Sequence, residues 1–143
     1  MPTYMVFSKP GAFSEEKEQR IARAITDAHA RATGAPHYYV QVIMGMGSEC
    51  RRFVGGRPSE SQLWIRGDIR AGRTPEQLKE LMLELMREVA QAAEIEEADV
   101  WIDLNEISPY GILKYCTVFP EAGKEKEWFD RLPEALQKKL NSM

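Results

Sequence analysis

The sequence predicts an α+β fold: a two-layer α/β sandwich of two fused βαβ units about a pseudo-twofold axis, followed by a C-terminal helical tail. Three observations predict it. Four short runs of strand-forming residues flank two amphipathic helical stretches, and each helical stretch opens on a Ser or Thr cap. A shift of 60 residues then lays the second strand–helix–strand set on the first without a gap. At 143 residues the chain reads as one domain, with repeats over about 2–46 and about 62–107 and a tail over about 120–143.

The elements follow in order. Residues 3–9 (TYMVFSK) form the first strand candidate. Ser14 stands as an N-cap, and Glu15 and Glu16 suit the positive end of a helix dipole. Ile21, Ile25, Ala28 and Ala32 recur at helical spacing, and Gly34 followed by Pro36 ends the helix. Residues 38–44 (YYVQVIM) supply the next strand. In the second unit, 63–69 (LWIRGDI) is a strand candidate, and Thr74-Pro75-Glu76-Gln77 combines a cap, a proline at the first helical position and a capping-box glutamine. Leu78, Leu81, Met82, Leu85, Met86 and Val89 give that helix its buried stripe, and 99–104 (DVWIDL) is the last strand. The shift carries Ser14 onto Thr74, Ile21 onto Leu81, Ile25 onto Leu85, Val40 onto Val100, Val42 onto Ile102 and Met44 onto Leu104, as an internal duplication would. Outside the repeat, 51–61 suggests a hairpin or turn on Gly55-Gly56. Residues 122–140 suggest a tail with Trp128, Phe129, Leu132, Leu136 and Leu140 facing inward, interrupted at Pro133.

Composition narrows the function classes. Hydrophobic residues at 43% and charged residues at 29% fit a soluble globular domain. No apolar run approaches the roughly 18 residues that span a membrane, and the N-terminus lacks the pattern of a secretory signal. Cys50 and Cys116 have no partners at metal-ligand spacing, which reads as a reduced, cytoplasmic chain. A net charge of −3 argues against nucleic acid as the main partner. Gly45-Met46-Gly47 lacks the rest of a dinucleotide fingerprint, and His29 and His37 have no ligand cluster, so neither cofactor nor metal is expected. Cys116 has no histidine near it in sequence and reads as a small half-buried residue.

The duplication also locates a site. Two βαβ units about a pseudo-twofold axis place their first strands antiparallel, so Pro2 approaches the loop Arg70-Ala71-Gly72-Arg73. Arg70 and Arg73 correspond to Pro10 and Phe13 in the first unit, so the loop does not need arginine to fold. They precede a helix N-terminus and read either as solvated surface residues or as a carboxylate site made of two planar forks. Pro2, exposed by removal of Met1, offers a secondary amine whose pKa, about 7.7–8.0 for an unperturbed α-amino group, falls on burial or beside a cation. Such an amine can move a proton to or from carbon next to a carbonyl.

With these residues in place, the chain resembles the tautomerase superfamily and, within it, the cis-3-chloroacrylic acid dehalogenase group. The resemblance covers nearly the whole chain. It is carried by Met1-Pro2-Thr3-Tyr4, Ala24-Ile25-Thr26-Asp27-Ala28-His29, Arg70 with Arg73, Val100-Trp101, Glu106, Tyr115 and Glu127-Trp128-Phe129-Asp130. It implies a homotrimer with Pro2 as acid/base, Arg70 and Arg73 binding a substrate carboxylate, and His29 donating a hydrogen bond to the carboxylate or to the carbonyl oxygen. The departures are Asp103, where the dehalogenase pattern has a tyrosine, and Lys114, where it has a glutamate. Both pattern residues are associated with activating the water that adds to the substrate, and a protonated lysine is no base. Asp103 shares a strand face with Trp101 and Asn105 and reads either as a salt-bridge partner of Lys114 or as a substitute water base. The leading expectation is an enol–keto tautomerase for small 2-oxo or enol carboxylates. The competing readings are a cis-3-haloacrylate dehalogenase or hydratase using Asp103, and a catalytically silent trimeric binding protein. A retained Met1 favours the last, because acylated Pro2 is an amide without basicity.

Overall fold

The computed structural model describes residues 2–45, 51–59 and 62–142. Met1, Cys50 and the Met46 and Gly47 of the glycine turn lie outside the described residues. The first unit comprises β1 (Thr3–Phe7), α1 (Glu15–Thr33) and β2 (Gln41–Ile43). A small hairpin, β3 (Phe53–Val54) and β4 (Arg57–Pro58), turns on Gly55 and Gly56, both at positive φ. The second unit comprises β5 (Leu63–Arg70), α2 (Pro75–Ala93) and β6 (Val100–Ile107). A second hairpin, β7 (Leu113–Lys114) and β8 (Thr117–Val118), leads to α3 (Glu125–Asp130) and α4 (Glu134–Asn141), with Pro133 between the two helices.

The main sheet runs β2-β1-β5-β6. The outer pairs are parallel and the central β1–β5 pair is antiparallel, with Thr3 opposite Asp68 and Phe7 opposite Trp64. This is the arrangement expected of two βαβ units about a pseudo-twofold axis. The duplication extends into the caps. Ser14 and Thr74 accept hydrogen bonds from Lys17 N and Gln77 N, each helix has 19 residues, and Gly34 and Glu94 end them in the left-handed region at φ 69° and 59°. A 3-10 turn follows each helix, at His37–Tyr39 and Glu97–Asp99.

That turn corrects the strand expected over 38–44. Val40 N–H bonds back to the His37 carbonyl, and the Tyr39 ring sits 5.0 Å from Phe119 and 5.9 Å from Trp128. The preference of Tyr38 and Tyr39 for strands gives way to burial in an aromatic cluster, so pairing begins only at Gln41.

Two cores result. Tyr4, Val6, Leu63, Ile65 and Ile69 from the sheet meet Ile21, Ile25, Ala28, Leu81, Leu85 and Val89 from the helices. The tail builds the second around Tyr39, Phe119, Trp128, Leu132 and Leu140. Trp101 is 45% exposed on the sheet face without helices, where Phe7 stacks on Trp64 at 4.8 Å. Cys116 is exposed, not half-buried: Tyr115 and Cys116, at φ 54° and 62°, are the two turn residues of the β7–β8 hairpin. Among the described residues no helix is long and apolar enough to cross a membrane.

Candidate active site

The antiparallel register carries the start of β1 to the end of β5 that leads into the arginine loop. Continuing one residue back from the Thr3–Asp68 pair sets Pro2 level with Ile69, beside Arg70 at the end of β5. Pro2 is buried, and its carbonyl accepts a hydrogen bond from Gln41 N at 3.0 Å.

The two arginines have different surroundings. Arg70 donates through Nη1 to the Pro120 carbonyl at 2.9 Å and through Nη2 to the Glu125 carboxylate, and its guanidinium lies 5.7 Å from the centre of the Phe119 ring. Burial alone would raise the Glu125 carboxyl, but the hydrogen bond and charge of Arg70 together with backbone hydrogen bonds at Glu125 and Gly123 outweigh it and hold it below the usual carboxylate value. Arg73 donates through Nη1 to the Arg70 carbonyl at 2.6 Å. Among the described residues no carboxylate lies within ion-pair distance of it, and burial and the Arg70 charge press its pKa below the ordinary arginine value. One fork is therefore committed to the tail and the other keeps carboxylate-binding capacity.

The anion site expected of the helix start is also partly filled from within. Glu106 Oε1 accepts from Gly72 N at 3.2 Å and Arg73 N at 3.4 Å, while the Thr74–Gln77 capping box serves α2. The helix contributes its field, and the guanidinium of Arg73 is the available donor. Arg70, Arg73 and Gly72 line a cavity of about 650 Å³ whose far wall is Tyr38, Tyr39 and Phe129; Pro2 and His29 are not in its lining. The Tyr39 hydroxyl is buried without a hydrogen-bond partner among the described residues.

His29 lies deeper than the edge of its helix, 1% exposed. Its Nδ1 is 2.7 Å from the Tyr4 hydroxyl, and its Nε2 is buried without a hydrogen-bond partner among the described residues. Burial, followed by nearby positive charge with Arg73 foremost, pushes its pKa down from 6.5 to about 3, so the ring is neutral at physiological pH. Burial raises the Tyr4 phenol well above its usual value, against the weaker pull of Arg73.

Asp103 and Lys114 are not brought together. Asp103 faces away from the helices, as alternation requires, and accepts from Trp64 Nε1 at 2.7 Å. Lys114, on β7, has no carboxylate within ion-pair distance among the described residues, and burial lowers its pKa. The expected Asp103–Lys114 salt bridge is absent among the described residues: the carboxylate accepts instead from Trp64, diagonally across on β5, where Arg66 is the residue opposite Asp103.

Sequence reasoning assigned no role to Tyr4, Glu106 or Glu125. A signal existed for Tyr4: it sits at an inward position of β1, and a buried tyrosine hydroxyl requires a partner. Glu125 carried none, being 55 residues from the arginine it holds.

A mixed four-stranded sheet of two βαβ units carrying two helices on one face is the architecture of the tautomerase superfamily. The family model Tautomerase_3, described as "Putative oxalocrotonate tautomerase enzyme", matches residues 1–131, and the chain belongs to that family. A crystal structure of a member of the cis-3-chloroacrylic acid dehalogenase family is 36% identical, covers 99% of both chains and superposes with a TM-score of 0.93. A fused 4-OT solved as a symmetric trimer is 24% identical over 75% of this chain and 86% of that one, with a TM-score of 0.66, and shares the fold. Macrophage migration inhibitory factor of Toxoplasma gondii shares it too, at 19% identity over 82% and 99% of the two chains, with a TM-score of 0.66. A search of the curated proteins finds no match.

Proposed function

We propose that this chain is an enol–keto tautomerase acting on small 2-oxo or enol carboxylates, with Pro2 as its acid/base once Met1 is removed. The observation that carries the reading is Arg73, a half-buried guanidinium in a cavity wall with no carboxylate within ion-pair distance among the described residues. Arg73 anchors the substrate carboxylate. Arg70 adds positive charge through a fork that Glu125 already shares. In the keto-to-enol direction neutral Pro2 removes a proton from C3, and the electron pair moves through C2 to the carbonyl oxygen. A neutral His29 N–H donor stabilises the charge developing on that oxygen or holds the carboxylate. In reverse, protonated Pro2 returns its proton to C3 as the enol hydroxyl loses its own. Positive charge on the two arginines disfavours protonation of the Pro2 amine.

Water addition is left out of the proposal, because Asp103 is engaged by Trp64 and Lys114 replaces the carboxylate of the dehalogenase pattern. The uncovered sheet face, with Trp101 exposed, and the trimeric fused 4-OT support a homotrimer. Lone cysteines suit a reducing cytoplasm.

The test uses protein whose intact mass shows loss of Met1, assayed for ketonisation of an enolpyruvate-type substrate by ultraviolet absorbance. The expected result is turnover that Pro2→Ala abolishes and Arg73→Ala weakens through a higher KM. Unchanged turnover in Pro2→Ala overturns the proposal, and chloride release from a cis-3-haloacrylate would restore the dehalogenase reading.

A further inference from the structure

We infer that Tyr4 is a positioning residue that sets the tautomer of His29: its hydroxyl donates to Nδ1 and leaves Nε2 as the N–H that meets the substrate. The inference rests on the tautomerase reading for the role of that N–H, but the tautomer itself follows from the Tyr4–His29 contact and the acid–base character of its two partners.

The Tyr4 hydroxyl and His29 Nδ1 are 2.7 Å apart, Tyr4 is fully buried and His29 is 1% exposed. Each partner can donate, and either direction leaves one donor and one acceptor without a partner among the described residues: the Tyr4 O–H and a bare Nε2 if Nδ1–H donates, the phenol lone pairs and Nε2–H if Tyr4 donates. The direction is therefore set by strength: the phenol O–H is the more acidic donor and a neutral imidazole nitrogen the more basic acceptor, so Tyr4 donates to Nδ1. The protonated ring, which would reverse the direction of this bond, is excluded by burial and by the charge of Arg73.

The fold holds the tyrosine for this task. Tyr4 stands two residues after Pro2 on β1, and the residue paired with it on β5 is Gly67. A Cβ on Gly67 would come within 2.6 Å of Tyr4 Cε1 and 2.7 Å of Leu104 Cδ2, so the absence of a side chain there makes the recess that the ring fills. The ring reaches His29 edge-on, with centroids 5.7 Å apart at 68°. Acid/base residue and tautomer-setting residue are thus carried by one strand, and the tyrosine works through the histidine without touching substrate.

The test is a long-range ¹H–¹⁵N spectrum of the imidazole nitrogens of the unliganded wild-type protein at neutral pH, joined to a kinetic double-mutant cycle. The expected spectrum shows His29 protonated at Nε2 and bare at Nδ1, with Nδ1–H appearing in Tyr4→Phe. The expected kinetics are a loss of roughly tenfold in kcat/KM for Tyr4→Phe, the scale of one hydrogen bond, and no further loss when Tyr4→Phe is added to His29→Ala. A wild-type His29 carrying its proton on Nδ1 overturns the inference, as does an equal effect of Tyr4→Phe in both backgrounds. The wild-type spectrum needs neither a variant nor turnover. An Nε2–H signal in a protein without ketonisation activity therefore upholds the tautomer while rejecting the tautomerase reading.

Discussion

Mild acid should destabilise this protein through His29. The side chain is 1% exposed, and its pKa is pushed from 6.5 to about 3. Between those values the unfolded chain holds a proton at this site that the native protein does not. Stability therefore rises with pH across the window and is lost as pH falls from about 6.5 towards about 3. Linkage puts the loss between about pH 8 and about pH 5 at about 2 kcal/mol, with a limiting slope of about 1.4 kcal/mol per pH unit. Against a total stability of roughly 5–15 kcal/mol this is a visible fraction. The assay is urea unfolding at fixed protein concentration in buffers across that range, for the wild type and for His29→Gln. The glutamine variant keeps a polar partner for Tyr4 and retains His37, so the difference between the two proteins isolates the buried ring. The variant should be the less stable at about pH 8, and the two should converge by about 2 kcal/mol on reaching about pH 5. Parallel curves over that range would refute the claim that His29 is held neutral by its surroundings.

The remaining predictions concern packing around the same site. Gly67→Ala should overpack the Tyr4 ring and Leu104, lowering stability by about 1–3 kcal/mol in denaturant titration and reducing turnover, because the ring that orients His29 must move. An unaltered midpoint would mean the recess can relax. Arg70→Ala should strand the Glu125 carboxylate and free the Pro120 carbonyl, costing roughly 1–3 kcal/mol for a pair that is 12% and 29% exposed. The local readout is faster proteolytic nicking beyond Pro120, and a tail as resistant as in the wild type would contradict the assigned clamp. Glu125→Gln should loosen the same contact more mildly and lower KM for a carboxylate substrate, since Arg70 loses an internal competitor; a raised KM would argue that Glu125 organises the site.

Much of the fold was legible because its signals are local. Ser14 and Thr74, the apolar spacing of Ile21, Ile25, Leu81 and Leu85, and the alternation in 63–69 and 99–104 each involve residues within a few positions of one another. The constant shift between the units then supplied the antiparallel β1–β5 pairing, which is a long-range feature. Local propensity failed at Tyr38 and Tyr39, which the tail's aromatic cluster recruited from the strand, and at Cys116, which a positive-φ turn carries to the surface.

By itself the sequence determined the two βαβ units, the caps, the inward-facing tail and the antiparallel pairing of β1 with β5, because repetition makes topology readable from neighbouring residues. Only the tertiary structure decided how the charges are allotted. Arg70 is taken by a glutamate 55 residues away, Asp103 by a tryptophan 39 residues away, and His29 by a tyrosine 25 residues away across the sheet–helix interface. Partners at such separations are chosen by which side chains the closed sheet and folded tail bring within about 3 Å, and no periodicity along the chain records that choice.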